Sequence, residues 1–216
     1  MKRIKLVFFD VCDTLYDENT TFGFLEYYFP RGCKASFLKI RKLYIVKALN
    51  YLSVRLFGYD FVRQIGISML KNESQKDLDL QAKYYVSDRL ENKKNKEIHI
   101  LLSRFKEEGK EIVLLSGSLD FIIKAIASKL HIDSYYATTL QYINNVSTGK
   151  IGIDLLREKD RILKSNFNGR SYIVVTDNLS DMNIVKDAQQ SYILSKEKNI
   201  PTWNTLKNIE IIKILE

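Results

Sequence analysis

Three short apolar runs punctuate the chain at wide intervals. Ile4–Phe9 reads IKLVFF, broken only by Lys5; Glu111–Leu115 reads EIVLL; Tyr172–Val175 reads YIVV. None alternates polar with apolar residues. Strands buried on both faces of a parallel sheet have this continuous pattern. Ser191–Leu194 (SYIL) predicts a fourth strand. Helical patterns lie between the runs: ILLSRFKEEGK at Ile100–Lys110 leads into the second, and Asp154–Lys164 leads into the third. This alternation predicts an α/β fold, a Rossmann-like doubly wound parallel sheet. Tyr135–Tyr142 reads as extended, and the turn-rich Asn144-Asn145-Val146-Ser147-Thr148-Gly149 after it fits a hairpin. The tail Asn208–Glu216 is ambiguous between strand and helix.

The alternation lapses between the first and second strands. Residues 17–95 are rich in Phe, Tyr, Leu and Lys, and 36–57 and 76–92 carry helical spacing. The pattern predicts an all-helical cap, 17–95, inserted in a core formed by 1–16 and 96–216.

Ligands of doubly wound sheets bind beyond the carboxyl ends of the strands. Asp10, Ser116 and Asp177 each follow an apolar run, so the fold brings them to one crevice. A strand-end carboxylate such as Asp10 can hold a metal or attack phosphorus. Ser116-Gly117-Ser118 offers hydroxyls and backbone N–H groups to an anion. Lys159 can neutralise a phosphate, with Lys150, Arg157 and Lys164 as competitors nearby. Asp177 and Asp181, four apart, supply the hard oxygens that Mg²⁺ prefers. Taken singly, each has a plainer reading as a turn residue, a helix cap or a solvated lysine.

Composition narrows the partners without naming one. The 216 residues carry a net charge of +8, which favours anionic partners. The two cysteines, Cys12 and Cys33, have no metal-ligand spacing and form no disulfide framework. No run is long and apolar enough for a signal peptide or a membrane span, and a cytoplasmic setting is expected. From Arg31 to Arg55 there are seven basic residues and no acidic one. That segment reads either as a solvated basic helix, the favoured reading, or as a surface that steers phosphorylated substrates or touches an anionic membrane. The basic positions from Lys39 onward scatter around the helix instead of forming one stripe, which weakens both the membrane-surface and the nucleic-acid readings; no nucleic-acid partner is expected.

In order and placement, the strand ending in Asp10, the strand ending in Ser116, Lys159, and the strand followed by Asp177 and Asp181 resemble the four motifs of the haloacid dehalogenase superfamily. The helical insertion, LLSGSLDFIIKAIASKL and TGKIG…LREKDRIL resemble its phosphoserine-phosphatase-like branch, which includes phosphatases of lipid phosphates. The resemblance implies a Mg²⁺-dependent phosphatase of a small or lipid-like phosphomonoester. Asp10 would attack phosphorus and ligate the metal; Ser116, Gly117 and Lys159 would hold the phosphate. The residues it places around the metal are Asp10, Cys12, Asp177 and Asp181. Lys159 would also offset the charge of nucleophile and substrate.

The chain departs from the family pattern Asp-x-Asp-Gly-Thr at two adjacent positions. The second Asp, which protonates the leaving oxygen and then activates water, is Cys12; the usual Gly is Asp13. General acid–base catalysis is worth about 10²–10⁴ in rate, and a thiol of pKa near ~8.5 donates weakly. Three outcomes stay open: a slow or leaving-group-selective phosphatase with Asp13 as the acid, cleavage of another bond through Asp10, or a regulatory protein that binds phosphate without turnover. Thr176 replaces a common Gly, and His99 and His131 lie in no motif. The leaving group and the oligomeric state are not set by these motifs.

Overall fold

The three apolar runs become adjacent strands in the middle of one sheet. A computed structural model describes residues 5–156 and 158–215, the last three by backbone alone. Ile4, Arg157 and Glu216 lie outside the described residues. The strands are β1 (Leu6–Phe9), β2 (Glu111–Leu119), β3 (Ser134–Thr138), β4 (Leu140–Ile143), β5 (Val146–Ile151), β6 (Tyr172–Thr176), β7 (Gln190–Lys196) and β8 (Ile209–Leu215). Six of them form a sheet in the order β3-β2-β1-β6-β7-β8, with every pairing parallel. The chain starts at β1, builds outward through β2 and β3, and returns to build the other half from β6. The switch point therefore lies between β1 and β6, where a doubly wound sheet opens its crevice.

Both faces of the sheet are covered. Val7, Phe9, Leu114 and Val175 point into one apolar cluster; Leu6, Phe8, Val113, Leu115 and Val174 point into the other, with Trp203. Alternate residues of each strand thus meet apolar neighbours on both sides, the physical reason for their unbroken hydrophobic runs.

Five helices lie in 17–95: α1 (Thr20–Tyr28), α2 (Gly32–Ile40), α3 (Tyr44–Phe57), α4 (Phe61–Ser68) and α5 (Gln75–Asp88). Side chains cap three of them: Asn19 accepts from Phe22 N–H, Asp60 from Arg63 N–H and Ser74 from Asp77 N–H. Then come α6 (Lys96–Glu107), α7 (Asp120–Lys129), α8 (Lys159–Asn166), α9 (Met182–Asp187) and α10 (Ile200–Trp203). Phe24, Leu25, Ile67, Leu78 and Tyr85 from 17–95 share one cluster with Val7, Phe9 and Ile98.

Several boundaries differ from the sequence reading. Residues 36–57 are not one helix: the chain breaks at Arg41–Leu43, between α2 and α3. Arg41 is drawn aside there, bonding Glu26 Oε1 at 2.7 Å and lying 3.9 Å over the Phe22 ring. The 76–92 helix stops at Asp88 and continues as a 3-10 turn, Leu90–Lys93. Helix α8 starts only at Lys159. Tyr135–Tyr142 is extended but split, its first part in the main sheet and its second in an antiparallel hairpin of β4 and β5. Asn144 and Asn145 turn that hairpin with φ of 51° and 62°, as a two-residue loop between twisted strands requires. The ambiguous tail forms β8, parallel to β7.

Candidate active site

Asp10 follows β1 and Asp177 follows β6, so the switch point sets two carboxylates side by side. Asp10 is buried. Its Oδ1 accepts from Val11 N–H at 2.8 Å and forms an ion pair with Lys159 Nζ at 3.1 Å. No donor among the described residues meets Asp10 Oδ2. Lys159, the first residue of α8, also bonds Asp181 Oδ2 at 2.8 Å. Asp181 Oδ2 is held in turn by Thr176 Oγ1 at 2.7 Å. Burial works against a charged amine, but Asp10 and Asp181 outweigh it and hold the Lys159 pKa above the ordinary lysine value.

Asp177 is fixed from the other side. Thr14 Oγ1 donates to its Oδ1 at 2.9 Å and accepts from its backbone N–H at 3.1 Å. Burial pushes the Asp10 carboxyl up to about 6, against the pull of Lys159 and with the push of Asp181. Burial, then the Asp10 charge, pushes Asp177 up to about 7. Three carboxylates thus face one ammonium in a space shielded from water. That surplus of hard, negative oxygen suits a divalent cation. Among the described residues no group of three Asp, Glu, His or Cys side chains forms a metal cage. Asp10 and Asp177 could hold a hard divalent cation of the Mg²⁺ type, which is bound through one or two carboxylates and completes its shell with water and phosphate oxygens.

The cavity beside Asp10 measures about 170 Å³ and is also lined by Cys12, Asp13, Ser116, Gly117, Lys159 and Asp177. Asn19, Thr21, Phe22, Asp60 and Arg63 line it from 17–95. The strand-end reading of Ser116-Gly117-Ser118 needs one correction. Strand β2 runs on to Leu119, with a register irregularity between Ser116 and Leu119, so α7 begins later than the triplet. Such an irregularity re-aims backbone groups at a sheet rim. Ser116 is buried, and its Oγ accepts from Ser118 N–H at 3.2 Å. At Gly117 a Cβ would come within 2.9 Å of Leu156 Cδ1 and 3.1 Å of Leu156 Cα, so the bare backbone is needed there.

Cys12 lines the cavity, but its thiol is engaged by α1. Sγ lies 3.2 Å from Thr20 Oγ1 and accepts from Thr20 N–H at 3.4 Å. Burial, helped by the Asp10 charge, pushes the thiol up to about 11. Cys12 is therefore a neutral SH group near pH 7. Asp13 sits at the exposed rim with φ 54°. Gly, Asn and Asp tolerate that left-handed backbone best, which accounts for an Asp at a position where the family uses Gly. Partial desolvation at the cavity rim and the Asp17 charge raise its pKa.

The structure joins Asp10, Lys159 and Asp181 by direct contact, and gathers Ser116, Gly117 and Asp177 with them around one cavity. Of the rival cations, Lys164 pairs with Asp160 and Lys150 is exposed. Sequence reasoning missed Thr14, although it lies inside the quoted motif. It also missed Arg63, whose guanidinium bonds Asp154 twice, Gly117 O at 3.0 Å and Thr138 Oγ1 at 3.0 Å. The hydroxyls of Thr20 and Thr21, both 2.7 Å from Ser118 Oγ, went unmarked too. No spacing in the chain signals these contacts. His99 bonds Leu15 O and packs edge-on to Tyr16, a structural role; His131 is an exposed turn residue at φ 51°.

A family model described as haloacid dehalogenase-like hydrolase matches residues 7–186. Among solved structures, a protein of unknown function from Bordetella pertussis Tohama I superposes with a TM-score of 0.76 at 14% identity, covering 97% of this chain and 99% of that one. A phosphoserine phosphatase in apo form gives 0.63 at 19% identity, covering 98% and 94%. A phosphoserine phosphohydrolase-like protein from Francisella tularensis subsp. tularensis SCHU S4 gives 0.60 at 17% identity, covering 96% and 95%. A comparison with curated proteins finds no match.

Proposed function

Because the chain belongs to the haloacid dehalogenase-like hydrolases, we propose that it is a Mg²⁺-dependent phosphatase of phosphomonoesters, working through a phosphoryl group carried on Asp10. The observation that carries this reading is the Asp10–Lys159–Asp181 chain: it occupies Oδ1 of the buried aspartate and leaves Oδ2 with no donor among the described residues. Oδ2 is then the oxygen that attacks phosphorus. The bond from phosphorus to the ester oxygen breaks, and the leaving alkoxide takes up a proton from a water molecule in the cavity. Water next attacks the phosphorus of the aspartyl-phosphate, releasing phosphate and restoring the carboxylate. Lys159 stays protonated throughout, offsetting the charge of Asp10 and of the entering phosphate. Ser116 and the Gly117 N–H receive phosphate oxygens. Asp10 and Asp177, steadied by Thr14, would hold the metal, with Asp181 behind Lys159 and the Cys12 thiol turned away toward Thr20. Bound there, Mg²⁺ supplies positive charge that lets phosphate and carboxylate approach.

Residues 17–95 act in this reading as the cap. The small cavity and the residues the cap lends it favour a phosphoryl group on a compact leaving group. The phosphoserine phosphatase among the structural neighbours is named for a substrate of that class. A second reading has one observation in its favour: with Cys12 neutral and bonded to Thr20, the usual acid is missing, which suits a protein that binds phosphate without turning it over. Phosphate release from a panel including an aryl phosphate, in Mg²⁺ and in EDTA, separates the two. Turnover that requires Mg²⁺ and is lost in Asp10→Asn is expected. Full turnover by Asp10→Asn would overturn the mechanism. No release from any ester, with phosphate raising the thermal midpoint, would favour the binding protein.

A further inference from the structure

Helix α3 turns its apolar stripe outward. Ile45, Leu49, Leu52 and Leu56 recur at spacings of four, three and four, which places them on one face of a helix. In a helix that packs on a core this face would be buried, yet no residue of α3 is buried and these four are 49–65% exposed. Tyr44 and Phe57, at the two ends, are exposed as well. The opposite face, with half-buried Val46, Asn50, Ser53 and Val54, meets the protein: Asn50 Oδ1 accepts from Val62 N–H of α4. The outward stripe is thus an unpartnered apolar surface.

Charge selects the partner. From Arg31 to Tyr59 the chain has no acidic residue. Arg41 and Lys42 are tied to Glu26, but Lys39, Lys47 and Arg55 are exposed and form no ion pair among the described residues. A second copy of the chain seated on this face would bring two acid-free basic segments together about a two-fold axis, and like charges oppose that. A surface that is both apolar within and negative at its rim answers both features. We propose that α3 docks the protein on an anionic lipid bilayer, lying in the interface with its leucines in the acyl boundary and its cations among the headgroups. No helix among the described residues is long and apolar enough to cross a membrane, so the contact is peripheral. The helix leads through Gly58 to Asp60 and Arg63, which line the candidate active-site cavity. This proposal does not depend on the phosphatase reading.

Vesicle co-sedimentation of the 216-residue chain tests it, with phosphatidylcholine alone and with phosphatidylglycerol added. Each basic group near an anionic surface strengthens binding about fivefold, so clear preference for phosphatidylglycerol, weakened by salt, is expected. Leu49→Glu with Leu52→Glu should reduce binding at least about tenfold and leave the thermal midpoint unchanged, because both side chains are exposed. Lys47→Glu with Arg55→Glu gives an independent reading through charge alone, should the first pair unfold. Absence of binding at low salt, or equal binding by both charge-reversed and wild-type protein, would overturn the proposal. So would a concentration-dependent dimer, abolished by Leu49→Glu/Leu52→Glu, in protein that ignores vesicles; the face would then belong to a second copy.

Discussion

Replacing Cys12 by Asp should restore the missing proton donor, and the gain should depend on the leaving group. The thiol sits where a carboxyl would be well placed. It already accepts from Thr20 N–H at 3.4 Å, at the first residue of α1, and a helix N-terminus favours an acidic side chain by about 0.3–1 kcal/mol. Burial and the Asp10 charge, which push the thiol up to about 11, would raise the new carboxyl as well and keep it partly protonated near neutrality, as a general acid must be. An aliphatic alkoxide leaves poorly without a proton, whereas a nitrophenolate leaves well. General acid catalysis is worth about 10²–10⁴ in rate, or about 3–5 kcal/mol of barrier. Hydrolysis of an aliphatic phosphate such as glycerol phosphate should therefore rise by a factor in that range, and p-nitrophenyl phosphate should change only a few-fold. The assay is kcat for both esters in saturating Mg²⁺. An equal gain on the two, or none on the aliphatic ester, would refute the assignment of position 12 as the acid's place.

Other perturbations reach different parts of the account. Arg63→Met removes a guanidinium whose side chain is 9% exposed; the pair with Asp154, 43% exposed, is discounted for screening. The lost bonds to Gly117 O and Thr138 should still cost about 1–3 kcal/mol by chemical denaturation, with KM rising as the Gly117 backbone loosens. An unchanged KM would detach Arg63 from phosphate binding. Burial depresses the His99 pKa below its ordinary 6.5, so the stability it contributes is present above about pH 6.5 and lost as pH falls through the lower folded value. His99→Gln should flatten the fall in denaturation midpoint between pH 7.5 and 5, and a parallel fall in both proteins would contradict this.

The strand ends were readable because two general rules act there. Buried parallel strands have unbroken apolar runs, and their carboxyl ends face the ligand, so the sequence alone places Asp10, Ser116 and Asp177 in one crevice. Lys159 could be chosen over Lys150 and Lys164 only by resemblance, since nothing local marks it; the double ion pair that distinguishes it joins residues 149 and 22 positions away. Thr14 and Arg63 were hidden for the same reason, as their partners Asp177 and Gly117 lie far along the chain. The break at Arg41–Leu43 has no local Gly or Pro to mark it, and the Arg41 side chain there meets Glu26 and Phe22, far back along the chain. In α3 the helical period was legible but its direction was not. Periodicity shows that a stripe exists; only packing shows whether it faces the core or the solvent.

The central claim is that Asp10 carries the phosphoryl group. The most direct test is borohydride trapping of the enzyme during turnover of an aryl phosphate, followed by peptide mass spectrometry. Reduction of an aspartyl-phosphate leaves homoserine, so the account predicts homoserine at position 10, dependent on substrate and Mg²⁺ and at no other aspartate. Steady turnover with Asp10 unmodified, or homoserine at Asp13 or Asp177 instead, would contradict it.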